Sequence, residues 1–336
     1  MNCNRIYKTI DSHTAGMPTR TVVGGIIAIP GNTMEEKMIY MRENMDYVRT
    51  FLLGEPRGSK VMSGAILTEP VSKEADVGVL FMEGTWMPMC GHDTIGVCTV
   101  LVETGMVPVV EPYTQIVLDT AAGLIKTRVK VERGKAKEVS FVNVPSFLLK
   151  KDVVIKTQKY GELTLDISYG GNFYAIIPAA SVGLQIDLAH YTELIEAANI
   201  IRSAIADQVQ VAHPEKPFIN QVNHIEFIGP AVNERCYNRN VIGILPGDCG
   251  RSPCGTGTSA RSAQLFGRGK LKVGEEFLHE SILGQYFKCR ILEQTQVGGL
   301  PAVIPEITGS AYIMGMSTFV LDPEDPFPNG FQFVQQ

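Results

Sequence analysis

The fold of this chain is decided by a short stretch that occurs twice in related form. The first copy reads Met87-Pro88-Met89-Cys90-Gly91-His92-Asp93-Thr94-Ile95-Gly96, and the second reads Arg251-Ser252-Pro253-Cys254-Gly255-Thr256-Gly257-Thr258-Ser259-Ala260. Both contain Cys-Gly-x-x-Thr, and both lead into a segment that predicts a helix, 95–103 and 259–266, which we expect to stop at Gly105 and Gly267. The cysteines are 254 − 90 = 164 residues apart, close to half of 336. This spacing predicts a duplicated domain with one cysteine in each half.

Length and charge limit the possible ligands. A chain of 336 residues is long for one core and sufficient for two domains. The hydrophobic content of 45% is that of an ordinary globular protein. A net charge of −5 argues against nucleic acid or anionic membrane as the main partner, because those ligands require basic patches. We therefore expect a small molecule as the main ligand.

The first ten residues contain no apolar signal-peptide core, and no window approaches the roughly 18 apolar residues of a membrane helix. We therefore expect a cytoplasmic protein. The cysteines number seven, an odd count, and their spacing forms no disulfide framework, which predicts reduced thiols. We interpret Cys3, Cys98 and Cys289 as inert core residues.

The predicted elements follow the same plan in both halves. Thr33 and Glu36 have the spacing of a capping box and are expected to begin the longest helix of the first half, with apolar residues at helical intervals as far as Leu52. An amphipathic helix from Glu193 to about Val209 has the same place in the second half. We predict an α/β (α+β) chain with domains formed by 1–126 plus 300–336 and by 127–299.

A cysteine at a helix start has distinctive chemistry. Unpaired backbone amides and the helix dipole stabilise its thiolate, which predicts a pKa lowered from ~8.5 toward neutrality. The free amides of Gly91, His92, Gly255 and Thr256 would form two anion cradles suited to a substrate carboxylate. We therefore predict that the two thiols act as acid and base on opposite faces of one α-carbon.

Other roles for these cysteines fit less well. Two inert core thiols would not recur with the same Gly, Thr and helix context. A metal site built from Cys90, His92, Cys249 and Cys254 has spacings, C-x-H and C-x4-C, that match no common zinc pattern, so no metal is predicted. A nucleophilic pair of Cys90 and His92 would leave the second cysteine idle. A disulfide is weaker still in a cytoplasmic chain.

Five motifs carry a resemblance to a known family. They are Asp11-Ser12-His13-Thr14-Ala15-Gly16, Glu55-Pro56-Arg57-Gly58, Met89-Cys90-Gly91-His92-x-Thr94-Ile95-Gly96, Gly170-Gly171-Asn172-Phe173 and Ser252-Pro253-Cys254-Gly255-Thr256-Gly257-Thr258-Ser259. In this order and over nearly the whole chain, the sequence resembles the proline racemase family.

The resemblance implies two similar domains like those of diaminopimelate epimerase, each with strands wrapped around a central helix, and an active site between them. It also implies a homodimer that acts on a small imino acid by a two-base mechanism without a cofactor. No phosphate cradle for pyridoxal phosphate is evident, and a ring nitrogen cannot form an ordinary imine with it. Family members that are trans-3-hydroxyproline dehydratases have Ser or Thr at the first cysteine position, so Cys90 argues against that activity.

The substrate is indicated by two further positions. Proline-specific relatives resemble one another in having phenylalanines where this chain has Ser63 and Ile244. Smaller residues leave room for a ring hydroxyl, which Ser63 or His224 could bind. We therefore expect a 4-hydroxyproline 2-epimerase ahead of a proline racemase, with an imino-acid-binding protein that lacks catalysis as an alternative of another class.

One position departs from the family pattern. Family members usually have Asp-Arg-Ser-Pro-Cys, and that Asp binds the ring nitrogen, whereas this chain has Gly250 before Arg251. Asp248 or Asp93 could replace the missing carboxylate. The alternative is that both aspartates are turn residues that face solvent.

Overall fold

The computed structural model describes residues 4–217, 219–244 and 247–332. The chain forms two compact units: unit 1 is Met1–Phe141 with Gly309–Gln336, and unit 2 is Val142–Thr308. Both boundaries lie later than the predicted ones at 126/127 and 299/300. The strands that follow residue 122 continue an antiparallel meander with the preceding strand, and this pairing keeps them in unit 1.

Unit 1 contains three helices and nine strands among its described residues. The helices are α1 (Met34–Asn44), α2 (Asp46–Leu53) and α3 (Gly91–Glu103). The strands are β1 (Arg5–Thr14), β2 (Met17–Gly24), β3 (Ser63–Thr68), β4 (Val77–Met82), β5 (Trp86–Met87), β6 (Tyr113–Thr120), β7 (Gly123–Glu132), β8 (Lys135–Val142) and the late strand β18 (Ala311–Leu321).

The strands of unit 1 pair in the order β18-β1-β2-β3-β4-β6-β7-β8, and β5 adds to β4. The pairs β2–β3 and β4–β6 are parallel and the others are antiparallel. Helix α3 packs on β1, β2, β3, β7 and β18. Every residue of α3 from Gly91 to Val102 is buried, because this helix is apolar on nearly all sides and can be stable only when it is surrounded.

Unit 2 contains two α-helices and nine strands among its described residues. The helices are α4 (Tyr191–Gln208) and α5 (Gly255–Gly267), and a 3-10 turn spans Ala179–Val182. The strands are β9 (Ser146–Thr157), β10 (Gly161–Tyr169), β11 (Phe173–Pro178), β12 (His224–Gly229), β13 (Asn238–Ile244), β14 (Asp248–Cys249), β15 (Glu276–Ser281), β16 (Tyr286–Val297) and β17 (Leu300–Gly309).

The sheet of unit 2 closes on itself. Its order is β9-β10-β11-β12-β13-β15-β16-β17, and β17 returns to β9 through the pairs Ala302↔Phe147 and Val303↔Ser146. Helix α5 packs on β9, β10, β11 and β16 and is buried from Gly255 to Leu265. The result is a barrel of strands around one central helix.

The two units have the same sequence of strand orientations. In each, the pairs run antiparallel, antiparallel, parallel, antiparallel, parallel, antiparallel, antiparallel. Strand β18 has the place in unit 1 that β9 has in unit 2, so the end of the chain belongs to the first unit. The prediction of two similar domains, each with strands around a central helix, is confirmed.

Several helix bounds differ from the prediction. The capping box is present, since Glu36 N donates to Thr33 Oγ1 at 3.0 Å, but the helix breaks at Met45 (φ −135°, ψ 26°) into α1 and α2. At 13 residues, α3 is therefore longer than either piece. Helices α3 and α5 begin directly after their cysteines, four residues earlier than predicted. Gly105 follows the end of α3 at φ 68°, whereas α5 includes Gly267 and is followed by the left-handed Gly269.

The described cysteines are all free thiols. Cys98 in α3 and Cys289 in β16 are fully buried, as predicted for core residues, and Cys3 lies outside the described residues. Among the helices of the described ranges, none combines the length and apolar character needed to cross a membrane.

Candidate active site

The first candidate thiol is fixed at the start of a buried helix. Cys90 is the N-cap of α3 with an extended backbone, and its carbonyl accepts from the amide of Thr94 at 3.0 Å and from its hydroxyl at 2.7 Å. Thr14, from the first family motif, donates its hydroxyl to the carbonyl of His92 at 2.8 Å. The motif threonines therefore hold the first turn of α3 in place.

The Cys90 thiol lies among acidic groups. It donates to Glu83 Oε1 at 3.3 Å, and His92 Nδ1 is 3.2 Å from the sulfur. Burial, followed by the charges of Asp93 and Glu83, raises the pKa of Cys90 well above its usual value. The predicted lowering toward neutrality is wrong here, because desolvation and two carboxylates outweigh the helix dipole.

Behind the thiol lies a small polar network. Ser63 Oγ is 2.5 Å from Asp93 Oδ1 and 2.8 Å from His92 Nε2, and Thr19 donates to the same Asp93 oxygen at 2.6 Å. Asp93 is 0% exposed, so the interpretation as a solvent-facing turn residue is wrong for it. Ser63 is fully engaged by its protein partners, and a ring hydroxyl could bind it only by displacing them.

The second candidate thiol has an unusual backbone. Cys254 is the N-cap of α5 and lies in the left-handed region at φ 64°, which non-glycine residues seldom adopt. The preceding carbonyl, that of Pro253, accepts from Asn240 Nδ2 at 2.8 Å and from Thr258 Oγ1 at 3.2 Å. These two bonds hold the strained helix start.

Hydrogen-bonding groups converge on the Cys254 sulfur. The amide of Gly257 donates to it at 3.4 Å, and the hydroxyls of Tyr174 and Thr256 lie 3.3 Å and 3.5 Å away. Burial raises the pKa of Cys254, the three hydrogen bonds oppose this, and the pKa remains above its usual value. The predicted lowering is therefore also wrong for this thiol, although it is better placed than Cys90 to carry a negative charge.

His224 lies next to this second thiol. Its ring stacks on Tyr174 with 5.0 Å between centroids, and Tyr174 in turn contacts Cys254. Burial lowers the pKa of His224 to about 4, so the ring is neutral near pH 7, and its buried Nδ1 has no partner within the described residues. His224 and Asn223 also line a polar cavity of about 320 Å³. His224 thus lines a cavity beside the second thiol, whereas Ser63 is engaged by protein partners.

Asp248, one of the two possible replacements for the missing family carboxylate, is bound by its neighbours in unit 2. Asp248 is 7% exposed, and its Oδ1 accepts from Tyr191 Oη, from Arg251 Nη1 at 2.6 Å and from the Cys249 amide at 2.6 Å. Burial raises its pKa, but these hydrogen bonds hold it below its usual range. Asp248 is neither solvent-facing nor free.

Gly250 has room for a Cβ at ordinary van der Waals distances. A Cβ built there would lie 3.8 Å from Ile242 Cβ, its nearest neighbour, and the backbone needs no left-handed conformation. The aspartate that the family pattern has at this position is therefore sterically possible in this chain. Ile244, the other position predicted to discriminate substrates, packs against the apolar cluster that contains Tyr174 and Ile242, as Cys254 does.

Three site residues were missed from the sequence. Tyr174 directly follows the Gly-Gly-Asn-Phe motif, and that adjacency was the only signal for it. Glu83 lies in a turn and reaches Cys90 only through folding. Glu226, on β12, is fully buried, accepts from Asn240 at 3.1 Å, and burial raises its pKa to about 8.

The chain is similar to known proteins in sequence and in fold. A family model described as proline racemase matches residues 9–332, nearly the whole chain. The chain belongs to the proline racemase family. Within that family, it is 50% identical over 332 residues to a 4-hydroxyproline 2-epimerase of Streptosporangium roseum, which covers 98% of this chain and 99% of the relative.

Two further proteins are similar over nearly their whole length. A proline racemase of Clostridioides difficile is 47% identical over 332 residues, covering 98% of this chain and 99% of that protein. The crystal structure of a hydroxyproline epimerase from Agrobacterium vitis with bound trans-4-OH-L-proline superposes with a TM-score of 0.91 at 34% identity, covering 99% of this chain and 96% of that one. The fold and the family thus agree in sequence and in structure.

Proposed function

We propose that this member of the proline racemase family is an isomerase that inverts the α-carbon of a cyclic imino acid, with 4-hydroxyproline as its first-ranked substrate. One observation carries the proposal: the same residue, a cysteine, caps the central helix in both copies of a duplicated unit, at Cys90 and Cys254. Inversion requires an acid and a base on opposite faces of one carbon, and two equivalent thiols supply that pair.

The proposed chemistry uses one thiol as thiolate and the other as thiol. The thiolate removes the α-proton, and the opposite thiol donates its proton to the other face of the carbon. Charge develops on the substrate carboxylate, which the first-turn amides of Gly91, His92, Gly255 and Thr256 would hold. In the described part of the chain, these amides have no protein acceptor. No cofactor takes part in these steps.

The hydrogen bonds around each sulfur indicate which of the two thiols loses its proton more readily. The Cys254 sulfur accepts a hydrogen bond from a backbone amide and lies beside two hydroxyls, so in the proposal it is the thiol that ionises more readily and acts first as the base. Cys90 donates to Glu83 and is its protonated counterpart. The enzyme would then be in the correct protonation state for one enantiomer. After one turnover Cys254 would be the thiol and Cys90 the thiolate, which is the state required for the other enantiomer.

The substrate ranking rests on the pocket residues and on relatives. The Streptosporangium roseum relative is a 4-hydroxyproline 2-epimerase, and the Agrobacterium vitis structure holds trans-4-OH-L-proline. Here Ile244 and Cys254 pack against the same apolar cluster, and His224, stacked on Tyr174, lines a polar cavity that could receive a ring hydroxyl. Proline racemase is the second candidate, which the 47% identity to the Clostridioides difficile enzyme supports.

The test is polarimetry of the purified protein with trans-4-hydroxy-L-proline and with L-proline, in parallel. We expect inversion of hydroxyproline and incorporation of solvent deuterium at the α-carbon of the product. Cys90→Ser and Cys254→Ser should each abolish inversion, because a serine hydroxyl is far too weak an acid and base. Cys236→Ser, at a buried thiol outside both half-sites, is the matched control.

Four outcomes would contradict this proposal in different ways. Near-normal inversion by Cys254→Ser would exclude the two-thiol mechanism. Fast turnover of proline alone would reverse the substrate ranking. Imino-acid binding in calorimetry without any proton exchange would indicate a binding protein, and loss of water from trans-3-hydroxyproline would indicate a dehydratase.

The assembly and the location are also proposals. We infer a homodimer from the family resemblance, and sedimentation equilibrium should give twice the chain mass of 36.7 kDa. The cytoplasmic location stays a prediction, which cell fractionation tests.

A further inference from the structure

Four metal-ligating side chains cluster around the first thiol. Glu83, Cys90, His92 and Asp93 each place one donor atom within 4.8 Å of the others. The Cys90 sulfur is 3.3 Å from Glu83 Oε1 and 3.2 Å from His92 Nδ1. Such separations between donor atoms are close to those around one tetrahedral ion whose bonds are roughly 2.0–2.3 Å long.

A second observation points to a missing ligand. Asp93 Oδ2 is buried and has no hydrogen-bond partner within the described residues, although Asp93 is 0% exposed. In the same described ranges, neither Asp93 nor Glu83 has a lysine or arginine side chain as an ion-pair partner. Asp93 Oδ1 is 3.2 Å from His92 Nε2. Burial lowers the pKa of His92 but both carboxylates raise it above its usual value, so a protonated His92 balances only one of the two negative charges. Two buried carboxylates beside a thiol are costly, and a divalent cation would balance both.

The donor chemistry selects the ion. One sulfur, one imidazole nitrogen and two carboxylate oxygens form a mixed set that suits Zn²⁺ and its spectroscopic substitute Co²⁺, whereas Mg²⁺ and Ca²⁺ prefer oxygen alone. We propose that Glu83, Cys90, His92 and Asp93 bind one thiophilic divalent cation of the Zn²⁺ class. The thiol proton leaves to solvent as the sulfur–metal bond forms.

The hydrogen bonds around the cluster assign the nitrogen that binds. Nδ1 of His92 is the one next to the sulfur, and its use as the ligand leaves Nε2 to bond to Ser63 Oγ at 2.8 Å. Ser63 also contacts Asp93 and so orients two of the four ligands. Partners of this kind typically contribute roughly tenfold to a hundredfold to metal affinity.

Bound metal would also inhibit the protein. A sulfur that is coordinated to Zn²⁺ cannot exchange a proton, so the metal-bound form would be inactive in inversion and recover on chelation. This consequence rests on the proposed function. The binding itself does not, because it requires only the four side chains.

The experiment is a titration of the purified full chain with Co²⁺ and with Zn²⁺. We expect one ion per chain in calorimetry and a thiolate-to-cobalt charge-transfer band in the ultraviolet. Cys90→Ser should lose the band, and Cys254→Ser, the same change in the other unit, should keep it. Ser63→Ala should weaken Zn²⁺ binding by roughly tenfold to a hundredfold.

The proposal is overturned if the wild-type chain binds no ion at metal concentrations up to the millimolar range. It is also overturned if the band survives in Cys90→Ser or disappears in Cys254→Ser. Circular dichroism checks the folding of each variant, and Glu83→Gln is a second variant that should weaken the binding of both ions. Failure of metal binding would leave the inversion assay unaffected, so the two proposals are separable.

Discussion

At the scale of residues, the two thiols have the same place in the chain but opposite partners. The Cys254 sulfur accepts a hydrogen bond from the Gly257 amide, whereas the Cys90 thiol donates one to the Glu83 carboxylate. Both pKa values are raised, with burial as the first cause, but only Cys254 has hydrogen bonds from three neighbours that favour its ionised form. The local sequence made the cysteines look equivalent, and their surroundings make them unequal.

This difference predicts unequal reactivity toward alkylation. Because the thiolate is the reactive form and Cys254 is also the more exposed of the two, iodoacetamide should modify Cys254 first. Peptide mapping by mass spectrometry after a short exposure measures the two rates, and the fully buried Cys98 is the internal control. Faster modification of Cys90 would reverse the assigned order of ionisation.

A second prediction concerns the missing carboxylate. Gly250→Asp should lower KM for hydroxyproline by roughly tenfold to a hundredfold, because a charged hydrogen bond to the ring nitrogen contributes about 1.5–3 kcal/mol. A Cβ at Gly250 makes only ordinary van der Waals contacts, which allows the change. Steady-state kinetics of this variant measures it, and the dependence on both cysteines should remain.

The matched controls are the two aspartates considered as substitutes. Asp248 is bound to Tyr191 and Arg251, so Asp248→Asn should disturb that pair and the local structure. Asp93, unlike Asp248, has a buried carboxylate oxygen without a hydrogen-bond partner among the described residues, and Asp93→Asn removes its charge. If Gly250→Asp brings no gain and both asparagine variants bind substrate normally, the ring nitrogen is recognised by another group and the substrate assignment loses its chemical support.

At the scale of elements, the helix starts differ in backbone strain. Cys254 caps α5 at φ 64°, whereas Cys90 caps α3 at φ −137°. A left-handed conformation costs a non-glycine residue roughly 1–2 kcal/mol, and glycine avoids this cost. The bonds from Asn240 and Thr258 to the Pro253 carbonyl keep the strained conformation in place.

The strain at Cys254 predicts that glycine and alanine variants have opposite orders of stability at the two cysteine positions. Cys254→Gly should be more stable than Cys254→Ala by about 1 kcal/mol, because only the alanine retains the left-handed strain. At Cys90 the order should be the opposite, since the backbone there is extended and glycine only adds freedom to the unfolded chain. Urea unfolding of the four variants measures this, and the same order at both sites would refute it.

At the scale of the whole molecule, stability depends on how each unit buries polar groups around its central helix. Glu226 is a carboxyl group in the core of unit 2, with burial raising its pKa to about 8. The folded state therefore keeps a proton that the unfolded chain loses near pH 4.5. The stabilisation is full below about pH 4.5 and is lost as pH rises toward about 8.

This linkage predicts a pH-dependent effect of Glu226→Gln. The wild-type chain should lose free energy of unfolding relative to the variant as pH increases from about 4.5 to 8, because glutamine has no proton to release. Urea unfolding of both proteins at pH 5 and pH 8.5 provides the comparison. A difference between the two proteins that does not change with pH would show that Glu226 ionises normally in the folded state.

Much of the fold followed from the sequence because it is encoded locally. The recurrence of Cys-Gly-x-x-Thr before an apolar helix revealed the duplication, and the ordered motifs revealed the family. Capping signals such as Thr33 and Glu36 located a helix start correctly. The boundary near residue 141 was missed, since pairing between strands decides it rather than local propensity. The break of the first helix at Met45 was also missed.

The sequence by itself determined the duplicated architecture, the family and the two cysteines at their helix starts, because each depends on residues that are neighbours in the chain. Only the tertiary structure decided the state of those cysteines. Desolvation depends on everything that packs around a group, and Tyr174 lies 80 residues from Cys254. Burial raises the pKa of both thiols, opposite to the lowering that a helix start predicts from the sequence.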